Sequence, residues 1–247
     1  MKIAMTISGQ PRSADEGFIE CKKWLLDKYD IDVYLHAWND KEFFKYDFFN
    51  EGKIKHVYKP SEKLYSNILD WYQPKDYLFE KAIKFDATDI KGSNNQRLNS
   101  QLGMWMSLKR AWDLVEASGI KYDYIIRTRY DLKFTDHVSE DCPLINDILN
   151  LDPNQVHLFD YTNDNHRKLN VNDLFAVGGY DVMKIYHNLF IDQIYYHFID
   201  PVYDEWLTGL DKFVNETILL HHLNTYKVPI NRIYSGTEED SDAIVIR

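Results

Sequence analysis

The sequence has little cysteine, no long apolar run and no excess of cations, and each absence removes a class of protein. Its 247 residues include only Cys21 and Cys142, with no Cys-x-x-Cys pair. That excludes a disulfide framework, argues against a thiolate zinc site, and makes a reducing compartment the default. No stretch approaches the roughly 20 apolar residues of a spanning helix. The apolar start, 1–7, is too short for a signal h-region and breaks at Ser8-Gly9-Gln10-Pro11, so no export signal is expected. Asn215-Glu216-Thr217 is accordingly read as a chance sequon. Lys and Arg number 29 against 39 Asp and Glu, a net charge of −10 with a pI near 5.3. Nucleic-acid binding, which rests on clustered cations, is not expected. A local cationic pocket for one small anion stays compatible with that balance. Gly-x-Gly-x-x-Gly, the P-loop and His-Glu-x-x-His are all missing, so neither a dinucleotide fold, a P-loop NTPase nor that type of zinc enzyme is supported.

What is present is aromatic. Trp, Tyr and Phe make up 15% of the chain, which excludes intrinsic disorder and suffices for a large core. Strand and helix patterns alternate. Residues 2–8, 32–37, 53–58, 122–129, 156–159 and 174–177 read as strands. Residues 15–29, 96–118, 182–198 and 208–224 read as helices, with Trp24 off the regular spacing of the first. In 96–118, Leu98, Leu102, Trp105, Leu108, Trp112 and Val115 form one stripe, and Gly119 stands at the C-cap position. Residues 61–93 are mixed and give no clear element. The predicted fold is α/β, a single Rossmann-like domain with a mostly parallel central sheet flanked by helices. Such sheets bind ligands at the carboxyl ends of their strands.

That rule selects the candidate residues. Gly9-Gln10-Pro11-Arg12 follows the first strand. A glycine permits close approach of backbone to a phosphate, a helix N-terminus follows, and Arg12 can grip an anion; a plain turn with a surface arginine is the alternative. Arg127, Arg129 and Asp131 share strand parity near a carboxyl end. Two neighbouring arginines call for an anion or carboxylates, and Asp131 either holds Mg2+ or Mn2+ or pairs with an arginine. Gln101 falls inside an apolar stripe and must bond either backbone or a ligand. Asp173, ahead of a short strand and Gly178-Gly179, is either a general base or a turn cap, and the double glycine suits a floor under a ligand. Glu216, among apolar neighbours on the last helix, should be paired, with Arg127 or Arg129, or shifted in pKa. His221 and His222 read as core histidines. Asp30-Ile31-Asp32 and Asp240-Ser241-Asp242 read as solvated carboxylates. Trp38 ends the second strand, where it stacks on a ring or covers the core edge. With Tyr130 and Phe175 it is a candidate to touch a ligand; Trp105, Trp112 and Phe213 read as core.

In series, Ile7-Ser8-Gly9-Gln10-Pro11-Arg12, the strand 32–38, Gln101, the strand 122–132, Asp173 to Gly179 and Glu216 to Leu223 resemble the GT-A-type glycosyltransferase-like proteins of capsule and lipopolysaccharide gene clusters and viruses. The resemblance implies a GT-A-like domain over 1–234, with a nucleotide-sugar half up to about 132, an acceptor half over 133–234, and a polar tail at 235–247. It implies a nucleoside-diphosphate-sugar donor at Gly9, Gln10, Arg12, Trp38, Gln101, Arg127 and Arg129, and a glycan or polysaccharide acceptor carrying a hydroxyl. Asp173 is the expected base and Glu216 its support. Arg129-Tyr130-Asp131 stands where these enzymes carry an Asp-x-Asp metal motif; with Arg129 replacing the first carboxylate, a metal at Asp131 and direct neutralisation of the diphosphate by arginine are both open. The expected location is the cytosol, free or at a membrane periphery. A non-catalytic carbohydrate-binding or host-interaction module on the same fold is the second expectation. A nucleotidyltransferase is the third, but the glycine- and lysine-rich signature usual for one after the first strand is missing.

Overall fold

A computed structural model describes residues 1–39, 45–47, 54–57, 61–85, 95–134, 142–160, 171–192, 215–233 and 243–245. In chain order the elements begin with β1 (Ile3–Gly9), α1 (Ala14–Cys21), β2 (Ile31–Trp38), β3 (Lys45–Asp47), β4 (Ile54–Val57), α2 (Glu62–Tyr72), β5 (Asp76–Glu80) and α3 (Asn95–Ala117). They continue with β6 (Tyr124–Thr128), β7 (Leu132–Phe134), α4 (Pro143–Asn146), β8 (Val156–Phe159), β9 (Ala176–Gly178), α5 (Tyr180–His187), α6 (Asn215–Thr225), β10 (Ile230–Ile233) and β11 (Ala243–Val245).

Seven strands make one sheet in the order β10-β8-β9-β6-β1-β2-β5. All neighbours run parallel except β9, which is antiparallel to both β6 and β8. The α/β class and the mostly parallel sheet thus agree with the sequence reading. Along β1, Ile3, Met5 and Ile7 enter one apolar cluster with α1, α2 and α4. Ala4 enters the other, against α3, α5 and α6. A strand buried on both faces reads as an unbroken apolar run, which is why β1 and β6 were legible. On α3, Leu102, Trp105, Leu108, Trp112 and Val115 are buried as the stripe predicts. Gly119 adopts φ +66° just past its end, a conformation glycine takes without strain.

Other expectations needed correction. The helix of 15–29 begins as α1 and widens into a π turn over Lys22–Leu26, where Asp27 N–H reaches back to the Lys22 carbonyl. The inserted residue rotates the following side chains, so Trp24 and Leu25 are both buried; this accounts for the irregular Trp24. The strand of 53–58 exists as β4, but pairs antiparallel with β3, outside the main sheet. The unassigned 61–93 contains α2, capped by Ser61 Oγ accepting from Leu64 N–H at 3.1 Å, and the edge strand β5. In the expected polar tail, β11 pairs antiparallel with β7. Asp240 to Asp242, Phe213, residues 193–198 and 208–214 lie outside the described residues. Asp32 is no bare solvated carboxylate: it accepts from Lys75 Nζ at 2.6 Å and Tyr122 Oη at 2.7 Å.

One contact fixes α1 against the sheet. A Cβ at Gly17 would lie 1.9 Å from the Tyr130 carbonyl oxygen, so the helix and the turn after β6 meet backbone to backbone. Gly17→Ala should therefore destabilise the protein by about 2 kcal/mol or more, despite alanine's better helix propensity. Gly103→Ala, inside α3 with nothing within 4 Å of the new methyl, should instead be neutral or stabilise by about 0.5–1 kcal/mol. Urea unfolding of the two variants checks both signs, and a Gly17→Ala protein as stable as the parent would remove the contact from the account.

Candidate functional site

Because β1, β2 and β6 are parallel, Gly9, Trp38 and Thr128 end at one edge of the sheet. Strand β9 runs the other way, with Ala176 opposite Arg127, so its lead-in residues Asn172 to Phe175 arrive at that same edge. Strand direction alone thus gathers the first turn, the arginine-rich turn and Asp173.

Arg12, Arg129 and Asp131 form an ion cluster there. Arg129 grips Asp131 with two donors, Nε to Oδ1 at 2.8 Å and Nη2 to Oδ2 at 3.1 Å. Arg12 Nη2 adds a third contact, 3.0 Å from Oδ2. The Asp131 side chain is 1% exposed, whereas the arginines keep 17% and 19% of theirs in solvent. Gly9, at φ +119°, turns the chain toward Arg12 in a conformation that strains other residues. Partly exposed Gln10 follows, its Oε1 buried without a hydrogen-bond partner among the described residues.

Arg127 lies deeper, fully buried at the α3–α5–α6 side of the sheet. Its Nη1 donates to the Asp173 carbonyl, and its Nε has no hydrogen-bond partner among the described residues. Burial lowers its pKa, opposed by Tyr186 and Asp173 and reinforced by Arg129. His187, also buried, is neutral: burial depresses it to about 3. Its Nδ1–H donates to the Met183 carbonyl, leaving Nε2 to accept from Thr6 Oγ1 at 2.9 Å. Asp173 is 4% exposed. The turn-capping role falls to its neighbour Asn172, whose Oδ1 accepts from Leu174 N–H at 2.9 Å. Glu216 is partly buried at the start of α6, and its carbonyl accepts from Val171 N–H at 3.3 Å, tying α6 to the Asp173 segment. Burial first, and the Asp173 charge second, raise its carboxyl to about 7; its own backbone N–H and Arg129 pull the other way. The site is therefore three arginines facing three carboxyl groups, one of which carries a proton near neutral pH.

Several other candidates are buried rather than exposed at this edge. Trp38 is 5% exposed, donates Nε1–H to the Gly103 carbonyl at 3.2 Å and packs edge-on to His36, so it covers the core edge. Tyr130 is fully buried, and Phe175 belongs to a trio with Phe134 and Phe159. All three rings are covered by the protein itself. Gln101 is buried on α3. The double glycine is a packing device: Cβ atoms on Gly178 and Gly179 would come within 2.8 Å of the Gln155 carbonyl and 2.4 Å of the Pro153 carbonyl. The N-terminus of α1 carries Asp15 and Glu16 in its first turn, which oppose an anion there. A divalent cation does not fit at Asp131, because both its oxygens accept from guanidinium groups. Among the described residues no three His, Cys, Asp or Glu side chains converge to hold a metal. His222 is a core histidine as expected, bonded through Nε2 to the Ile185 carbonyl at 2.8 Å. The sequence reading missed Gly17 and Tyr186; an isolated glycine in a helical pattern was the available signal for the first.

No family model matches the chain, and no curated protein matches it. Among solved structures it is similar to mouse xyloside xylosyltransferase 1 in its apo form, at 10% identity over 94% of this chain and 84% of that one, TM-score 0.44. It is also similar to a glycosyltransferase involved in glycosylation of the major capsid of PBCV-1, at 9% identity over 94% and 82%, TM-score 0.42. Both likenesses are distant.

The raised Glu216 pKa has a sign. From the ordinary value near 4.5 to about 7 the folded state holds a proton that the unfolded state has lost, so this group's contribution falls as pH rises through that window. The stability of the parent minus that of Glu216→Gln should therefore decrease between pH 5 and pH 7.5, measured by urea unfolding. A flat difference would place Glu216 in ordinary solvent contact.

Proposed function

We propose that the protein transfers a glycosyl group from a nucleoside diphosphate sugar to a hydroxyl acceptor on a glycan or polysaccharide, in the cytosol or at a membrane periphery. The observation that carries this reading is the gathering of Arg12, Arg127 and Arg129 with Asp131, Asp173 and Glu216 at the carboxyl edge of a parallel sheet, in a chain otherwise strongly acidic. Breaking the bond from the anomeric carbon to phosphate sends its electron pair to the diphosphate. Fixed cations beside that group stabilise the developing charge, and an enclosed site makes them more effective than water. The acceptor oxygen forms the new bond, and its proton passes to a carboxylate. Asp173 is assigned that role, its backbone held by Arg127 and its segment by α6. Glu216, with a pKa of about 7, holds the neighbouring proton.

The burial of Trp38, Tyr130 and Phe175 weighs against a purely carbohydrate-binding module, which would present such rings to a sugar face. No helix among the described residues is long and apolar enough to cross a membrane.

A thermal-shift screen of nucleotide sugars and nucleoside diphosphates, with and without Mn2+, should raise the melting temperature for the matching donor. With that donor, Asp173→Asn should lower kcat by about 10²–10⁴-fold, while donor affinity stays within about twofold of the parent. Failure of every donor to shift the melting temperature would sink the reading, and full turnover in Asp173→Asn would remove that residue as base.

A further inference from the structure

We infer that Arg12 and Arg129, aligned by the buried Asp131, clamp the diphosphate of the donor directly and take the place of the divalent cation expected at Asp131; this rests on the transferase reading above. The argument begins with charge. Where an Asp-x-Asp pair would bring two carboxylates, Arg129-Tyr130-Asp131 brings one carboxylate and one guanidinium. The remaining carboxylate is committed: Oδ1 accepts from Arg129 Nε, and Oδ2 from Arg129 Nη2 and Arg12 Nη2, all within 3.1 Å. At 1% exposure, Asp131 reaches a cation only if these ion pairs break. A cation seated on it would also adjoin two positive groups, which Coulomb repulsion opposes.

What the arrangement does favour is an anion. The two-point contact with Asp131 sets the plane of the Arg129 guanidinium, and fork-like donors in a fixed plane match phosphate oxygens. Both arginine side chains retain solvent contact while Asp131 does not, so the positive groups lie outermost and the carboxylate behind them. The support is rigid: Gly17 abuts the Tyr130 carbonyl, leaving no room for the turn to shift toward α1. Asp131 is thus a positioning residue, and Arg12 and Arg129 are the groups that touch the ligand.

The test is calorimetry on the full chain with UDP, GDP, CDP, ADP and inorganic pyrophosphate, first in EDTA and then in MnCl2. At least one nucleoside diphosphate should bind in EDTA, with a Kd that changes by less than about threefold on adding Mn2+. Arg129→Lys keeps the charge but loses the fork, and should weaken that binding by about tenfold or more; Arg12→Gln, which removes the charge of the other arginine, should do likewise. Circular dichroism verifies that both variants are folded, and Asp131→Asn should leave the Mn2+ insensitivity intact. Binding that requires Mn2+ and vanishes in Asp131→Asn would overturn the clamp while leaving the transferase reading standing. Unchanged affinity in both arginine variants would also overturn it, reducing the trio to a structural ion pair. Absence of binding by every probe in both conditions would overturn the clamp together with the donor reading.

Discussion

The candidate site depends on burying one carboxylate. Asp131 is withdrawn from water, and an unpaired charge in that position is costly enough that partners must be supplied. Arg129 supplies two donors from the same turn and Arg12 one from the turn after β1. Satisfying Asp131 therefore joins two loops more than a hundred residues apart, and both are already brought to one edge by the parallel pairing of β1 and β6. The contact between Gly17 and the Tyr130 carbonyl closes the same junction from the helix side. A methyl group there would push α1 away from the turn that presents Asp131.

The second determinant is the reversed strand. Had β9 run parallel to β6, Asp173 would have come to the opposite edge of the sheet. Antiparallel pairing places Asp173 beside Arg127, whose buried guanidinium donates to its carbonyl. Glu216 then joins from α6, and its burial first, with the Asp173 charge beside it second, displaces its carboxyl to about 7. Neutral His187 adds no charge beneath this group, so the electrostatic balance of the site rests on its arginines and carboxyl groups.

The legible parts of the fold were those with a local signature. β1, β6 and β8 are short, mostly apolar strands buried on both faces, and α3 keeps its stripe from Leu102 to Val115 and is followed by a glycine with positive φ. The edge strand β5 was missed because an edge position leaves it half exposed, without an apolar run or a clean alternation. The role of the aromatic rings at strand ends was left open by the sequence for a related reason. Position along a strand says that Trp38 and Tyr130 lie near the carboxyl edge, but not whether neighbouring helices cover them, and α3 covers Trp38.

The sequence by itself determined the class of fold, the composition of the core and the candidate residues Arg12, Arg127, Arg129, Asp131, Asp173 and Glu216, because periodicity and misplaced charge are local properties. Only the tertiary structure decided how those charges divide. It assigned Asp131 to two arginines, gave the turn cap to Asn172 and so left Asp173 to the charged cluster, and turned Gly178 and Gly179 from a ligand floor into a packing contact. Each of those outcomes turns on which segments lie within a few ångströms across the sheet, and strand order and direction set that distance.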